Sequence, residues 1–171
     1  KNTLTLDYPK EKLEIIIVSD HSTDNTDAIV RSFSNEGDIL LARPVRAGKT
    51  AGLNEAVNRA RGEILVFSDA DAMYEMDALR KMGATLSGDP SIGLVTGSTY
   101  YRSQGDDDIV VTTSLYMRLE SNIKRKETLL GSCVGADGAI FAIRKSLYRK
   151  LQHDDINDLV LPLNVIRQGC R

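Results

Sequence analysis

Acidic residues at the ends of apolar runs are the first chemistry legible in this chain. Asp69 and Asp71 stand one residue apart, directly after Ile64-Leu65-Val66-Phe67-Ser68. Carboxylates so spaced on a loop can share a hard cation, and their oxygens suit Mg²⁺ or Mn²⁺, which keep few protein ligands and take phosphate oxygens as the rest. A bare D-x-D recurs by chance, so alone it reads first as a solvated acidic turn or a helix cap. Asp20 ends a second apolar run, Leu13–Ser19, where it can cap the following helix or accept hydrogen bonds from a nucleobase. Asp24 reads as a cap. Lys49 closes the basic stretch Arg43–Lys49 just before a helix, where phosphate is favoured, or is a solvated loop lysine.

Gly48-Lys49-Thr50 after a strand also suggests a phosphate loop, with ILVFSD as the acidic strand of an NTPase. Such a loop needs a glycine at position 43, and Arg43-Pro44 stands there; Pro44 has no N–H to donate. An NTPase therefore ranks below the reading reached next.

The elements that must position these residues follow from periodicity. Leu13–Ser19, Ile39–Ala42 and Glu63–Ser68 are short, β-branched runs expected as covered strands. Between them, a helix is expected from Thr23 or Asp24 to Phe33. A second carries Leu53, Ala56, Val57 and Ala60 on one stripe, with Gly62 expected as its left-handed terminus. Glu75–Leu86 is amphipathic through Leu79, Met82 and Leu86. Ile92–Tyr101 is an expected strand and Gln104–Asp108 an acidic loop. Ile109–Leu130 is an expected long helix with Leu115, Leu119 and Ile123 on one stripe. Ala139–Ile143 (strand), Lys145–Leu151 (short helix) and Asp158–Gln168 (helix) complete the chain. Strands alternating with helices imply an α/β fold with a parallel sheet, whose ligands bind beyond the carboxyl ends of the strands. Asp20, Asp69 and Asp71 lie at such ends.

The chain has 171 residues, 42% hydrophobic and 27% charged, with a net charge of −2. This fits one globular domain over 1–171 and excludes a disordered chain or a nucleic-acid binder held by bulk positive charge. No apolar run reaches a membrane-spanning length, and Lys1–Lys10 has no apolar core of a signal peptide. Cys133 and Cys170 lack zinc or disulfide spacing, and reduced thiols of a cytoplasmic type of protein are expected.

Four ordered segments together resemble family 2 glycosyltransferases of the GT-A fold. Tyr8-Pro9 with Leu13–Asp24 resembles the family's YP…EIIVVDDGSTD; Arg46–Asn54 resembles R.GKAGALN; Gly62–Asp71 resembles the D-x-D strand; Gly135–Arg144 resembles the glycine-rich strand at the active-site floor. The resemblance implies a Rossmann-like, mostly parallel sheet flanked by helices. It implies that Asp20 holds the nucleotide base, that Lys49 lies in the nucleotide pocket, and that Asp69 contacts the nucleotide sugar and Asp71 the metal, Mg²⁺ or Mn²⁺, on the diphosphate. Asp158, in Ile156-Asn157-Asp158-Leu159, matches the base that deprotonates the acceptor hydroxyl for inverting attack, with Asp137 as the next candidate and a substrate-binding residue. A helix cap is the plainer role for Asp158.

Asn157 stands where the family often has Glu, and Ser19 replaces a common first Asp. The resemblance also implies a preceding strand between Leu13–Ser19 and Glu63–Ser68, and a later QxxRW motif with membrane helices in processive relatives. The chain therefore reads as an excised part, whose two strands are expected either to pair directly or to take a strand from a second copy. The implied function is sugar transfer from a nucleotide-diphospho-sugar, UDP-linked, to a saccharide or lipid-linked acceptor. It is placed in the cytoplasm, with room for membrane anchoring of the parent protein. A non-catalytic nucleotide-binding piece is the alternative from another class, and a sugar-phosphate nucleotidyltransferase ranks last.

Overall fold

The computed structural model describes residues 2–33, 39–99 and 108–171. Ten strands and α-helices follow one another among the described residues: β1 (Ile16–Ser19), α1 (Thr26–Arg31), β2 (Ile39–Ala42), α2 (Lys49–Arg59), β3 (Ile64–Ser68), α3 (Ala78–Gly88), β4 (Leu94–Thr96), α4 (Asp108–Leu130), β5 (Ile140–Arg144) and α5 (Asn157–Arg167). β1 and β2 form a parallel pair, with Ile16 opposite Ile39 and Ser19 opposite Ala42. β3, β5 and β4 form a second sheet in that order. β5 runs against both neighbours, so β3 and β4 are parallel to each other. The α/β fold expected from alternating patterns is thus present, with β5 as the reversed strand.

β5 is the centre of the core because it is paired on both edges. Phe141, Ala142 and Ile143 are inaccessible to solvent. Phe67 of β3 stacks on Phe141 with ring centroids 5.0 Å apart, and on Tyr148 at 6.0 Å. One side of this sheet packs against Val57 of α2 and Leu161 and Val165 of α5; Met82 and Leu86 of α3 pack with Ile140 and Ala142. The expected apolar stripe of α3 is buried in full, at Leu79, Met82 and Leu86.

α2 spans both sheets. Gly52 lies against Val18 of β1, where a Cβ would come within 2.7 Å of a Val18 methyl. At one end of α2, Arg61 donates to Glu14 through its main-chain N–H and its Nε, both at 2.8 Å. At the other end, the residues that follow β1 and β3 meet at Lys49, as described below. β1 and β3 therefore share α2 but belong to different sheets. Direct pairing of these two strands, one of the two outcomes expected from the sequence, does not occur.

Several boundaries differ from expectation for local reasons. β1 starts at Ile16, opposite Ile39 of β2, and Glu14 before it is engaged with Arg61. α1 begins late because the Asp24 carboxylate accepts the Thr26 N–H at 3.0 Å, forming a turn before the helix. α2 ends without a left-handed glycine: Ala60 leaves the helix in an extended conformation, and Gly62 has no positive φ. Lys145–Leu147 is a single 3₁₀ turn. The expected strand Ile92–Tyr101 is formed at Leu94–Thr96, and its last two residues and the loop residues 104–107 lie outside the described residues.

Candidate active site

The acidic residues singled out in the sequence gather at one end of the strands, but they are not equivalent. Asp20 is bonded through both carboxylate oxygens. Oδ1 accepts from Arg43 Nη1 at 2.9 Å and the Ala47 N–H at 3.0 Å, and Oδ2 accepts the Gly48 N–H at 2.8 Å. The Ala47 N–H above all, then the Gly48 N–H and the charges of Arg43 and Arg46, hold this carboxyl below the usual carboxylate range, against its partial desolvation. Asp20 thereby ties the end of β1 to the loop that starts α2. The N–H groups of Ala47 and Gly48, which a phosphate loop would aim at phosphate, point at Asp20 instead.

Arg43 is the residue sequence reasoning missed here. The sequence marks it as part of a basic stretch and as the residue where a phosphate loop needs glycine; its guanidinium joins Asp20 to Glu55, the latter at 3.5 Å. Because Asp20 titrates low in the folded state, its contribution to stability is fully present above about pH 4, the ordinary carboxylate value, and is lost as pH falls through the depressed value. Thermal melts of the native chain and Asp20→Asn should therefore differ most at neutral pH and converge in acid. A gap that persists unchanged to pH 2 would contradict this.

Gly48 has φ 86° and sets the entry to α2. The next residue, Lys49, reaches Asp69 with Nζ–Oδ1 at 2.8 Å. Both groups are partly exposed, so the pair contributes little to stability; it holds Lys49 beside the strand end. The main-chain N–H of Asp69 donates to the Ala139 carbonyl at 3.3 Å, which brings the start of β5 to the same place. Asp71 is exposed, and no bond to its carboxylate is found among the described residues. Tyr74, whose hydroxyl is buried without a partner among the described residues, titrates at about 12, through burial first and the Asp69 charge second.

Asp137 and Asp158 come from the other half of the chain. Asp137 Oδ1 accepts the Ala139 N–H at 3.0 Å and Oδ2 the Thr99 N–H at 2.8 Å, so its carboxylate braces the turn into β5 against the end of β4. Asp158 sits in the first turn of α5. The cap position is Ile156, and no side chain caps this helix, so the plainer role expected for Asp158 is not the one it has. Its carboxylate instead lies against Gly138, where a Cβ would meet Asp158 Oδ2 at 2.7 Å, and its carbonyl accepts the Ala136 N–H at 2.8 Å. Thr50, in the first turn of α2, reaches the Asp155 carbonyl at 3.3 Å. The α2 start, the D-x-D loop, the turn before β5 and the start of α5 thus share one end of the molecule.

The residues fit a divalent cation held jointly with a ligand. Asp71 is an open hard donor, Asp69 keeps one oxygen free of Lys49, and among the described residues no group of three or more His, Cys, Asp or Glu could enclose a cation alone. Beside Asp20, the residues His21–Asp24 and Arg46 line an open polar hollow. His21 has φ 60°, a left-handed conformation that favours glycine, at the position where the resembling segment has glycine. Cys133 and Cys170 are both free thiols, as expected.

Residues 2–152 match the family model of glycosyl transferase family 2. The chain is 32% identical over 146 residues to the poly-β-1,6-N-acetyl-D-glucosamine synthase of Staphylococcus aureus, covering 85% of this chain and 35% of that protein. It thus spans about a third of the length of this curated relative. Among solved structures, it is similar to a mannosyltransferase from Pyrobaculum calidifontis, determined with GDP-Man and Mn²⁺. The TM-score is 0.78 at 26% identity, over 99% of this chain and 47% of that one. TarS of S. aureus gives a TM-score of 0.72 at 19% identity, over 96% and 49%, a likeness of fold.

Proposed function

This chain belongs to glycosyl transferase family 2, and we propose that it binds a nucleotide-diphospho-sugar, UDP-linked, and transfers the sugar with inversion to an acceptor hydroxyl in polysaccharide or glycoconjugate synthesis. The observation that carries this reading is the convergence of open Asp71, the Lys49–Asp69 pair and the Asp158 carboxylate at one end of the strands. A synthase of a poly-N-acetylglucosamine among the relatives supports a polysaccharide product. The mannosyltransferase bound to GDP-Man and Mn²⁺ supports a nucleotide-sugar donor and a divalent cation.

In this reading, Asp71, with Asp69, holds Mg²⁺ or Mn²⁺ on the donor diphosphate, and the cation supplies charge neutralisation for the departing nucleoside diphosphate. Lys49 adds a positive charge beside the phosphates. Asp20 organises the base-side loop through Arg43, Ala47 and Gly48 and presents the polar hollow next to it. Asp158 takes the proton of the acceptor hydroxyl as its oxygen attacks the anomeric carbon from the face opposite the leaving group. Asp137 keeps the floor of the site in place as substrate binds. The acceptor is a saccharide or a lipid-linked sugar, and the complete protein works in the cytoplasm or at the cytoplasmic face of a membrane. β1 and β3 each keep one edge without a ladder partner among the described residues, which supports a further strand between them, from a neighbouring part of the complete protein or, for this chain by itself, from a second copy in a homodimer.

A thermal-shift screen of UDP-, GDP- and dTDP-sugars with and without Mn²⁺ tests the donor reading. UDP-sugars with Mn²⁺ should raise the melting temperature most, because a ligand that binds only the folded state stabilises it by mass action. No shift with any nucleotide sugar would overturn the proposal, and binding without transfer by the complete protein would favour a non-catalytic nucleotide-binding role.

A further inference from the structure

α5 carries a proline in its interior. Pro162 lies beyond the first turn, where proline is tolerated, and its side chain is fully buried. A proline at such a position donates no N–H to the carbonyl four residues back, and its ring crowds that oxygen, so the helix is weakened there. The carbonyl concerned is that of Asp158.

That oxygen has a partner outside the helix. It accepts the Ala136 N–H at 2.8 Å, from the turn before β5. Ala136 is buried in the same apolar cluster as Leu161 and Val165 of α5. The turn is held from two further sides. Thr96 Oγ1 accepts the Asp137 N–H at 2.6 Å, and the Ala139 carbonyl accepts the Asp69 N–H at 3.3 Å. Gly138, between them, lies against the Asp158 carboxylate. Residues 136–139 therefore connect the main chain and the carboxylate of Asp158 with the main chain of the D-x-D loop.

We propose that Pro162 is a positioning residue for Asp158. By withholding the helical donor, it directs the Asp158 carbonyl onto Ala136, which fixes the start of α5 against the turn that also binds Asp69. The carboxylate of Asp158 is thereby held at a set distance from the D-x-D loop. An amino acid with an N–H at position 162 would draw the carbonyl back along the helix axis, release Ala136 and let the first turn of α5 move relative to β5. Packing alone is served by any side chain of similar size, whereas only proline leaves that carbonyl without a helical donor. The proposal rests on the reading of Asp158 as the base that takes the acceptor proton.

Pro162→Ala and Pro162→Val in the complete protein test it. Alanine is smaller than proline and valine larger, so a change shared by both follows the restored N–H rather than the volume. Hydrogen exchange read by mass spectrometry on the peptide that carries Ala136 should show one amide exchanging about tenfold faster in both variants, the loss of about one hydrogen bond. The kcat for sugar transfer should fall about tenfold, less than for a misplacement of about 1 Å, while UDP affinity with Mn²⁺ stays the same. Val165→Ala trims the buried face of α5 and keeps Pro162, so it should lower the melting temperature and leave both readouts in place. Unchanged exchange at Ala136 would overturn the proposal whatever Asp158 does in catalysis. Faster exchange with unchanged kcat would overturn it as well. If Asp158→Asn is then inactive, the positioning link has failed; if Asp158→Asn is active, the base reading beneath it has failed.

Discussion

Asp158→Asn in the complete gene product should lower sugar transfer by about 10²- to 10⁴-fold, the range for losing a general base, while UDP affinity in the presence of Mn²⁺ stays the same. The split is expected because Asp158 lies on α5, against Gly138, whereas the nucleotide-side groups Asp20, Lys49 and Asp69 are tied to one another across β1, α2 and β3. Stability should change little, since the carboxylate caps no helix N–H. Gly138→Ala is the companion test. Its Cβ would stand 2.7 Å from Asp158 Oδ2, so either the carboxylate or the turn must shift. A misplacement of about 1 Å costs about 100-fold in rate when the moved group acts on the reacting atoms, and the smaller shift that relieves this contact should cost less. Kinetics of both variants, with calorimetry of UDP binding, check the pair. An active Asp158→Asn enzyme would move the base elsewhere, and Asp137 would be next. Its two oxygens are already engaged by the N–H groups of Ala139 and Thr99, so such a role would require the turn before β5 to open.

What the sequence made legible follows from which signals are local. The strands β1, β2 and β3 and the α3 stripe are written in short apolar runs and in the spacing of Leu79, Met82 and Leu86, and they appear at or near the expected residues. α4 was also legible as a helix, because Leu115, Leu119 and Ile123 repeat at helical spacing; that the stripe faces outward was not, since periodicity identifies a face and says nothing about what covers it. The position of Asp20 at a strand end was predictable. Its saturation by Arg43, Ala47 and Gly48 was not, because these partners are 23 to 28 residues away and two of them are main-chain N–H groups, present at almost every residue. One local signal was available: a histidine at position 21, where the resembling segment has glycine, marks a left-handed backbone, and φ at His21 is 60°. The cap expected at Asp158 failed for a similar reason. Residue preference places Asp near a helix start, but the chain enters α5 through Ile156, so Asp158 falls two residues past the cap position.

Asp71→Ala should weaken UDP binding about 10- to 100-fold when Mn²⁺ is present, equivalent to about 1.4–2.8 kcal/mol, and leave it unchanged in chelator. The argument rests on how little the chain offers a cation by itself. Among the described residues no cluster of three ligating side chains exists, Asp69 shares its carboxylate with Lys49, and Asp71 alone stands open at the strand end. A hard cation with so few protein ligands is bound firmly only when diphosphate oxygens complete its shell, so metal and nucleotide should each raise the affinity for the other by the same factor. Removing Asp71 deletes its part of the protein's share of that coupling, leaving that of Asp69, without touching the base-side loop, which is fixed separately through Asp20. Calorimetric titrations of UDP into both chains, with Mn²⁺ and with chelator, give the four affinities needed. Equal affinities for both chains with Mn²⁺ would remove Asp71 from the metal site. A loss of the same size in chelator would assign Asp71 to the nucleotide directly. A loss confined to the Mn²⁺ titration places the cation between this carboxylate and the diphosphate, where it can neutralise the charge that leaves with the nucleotide.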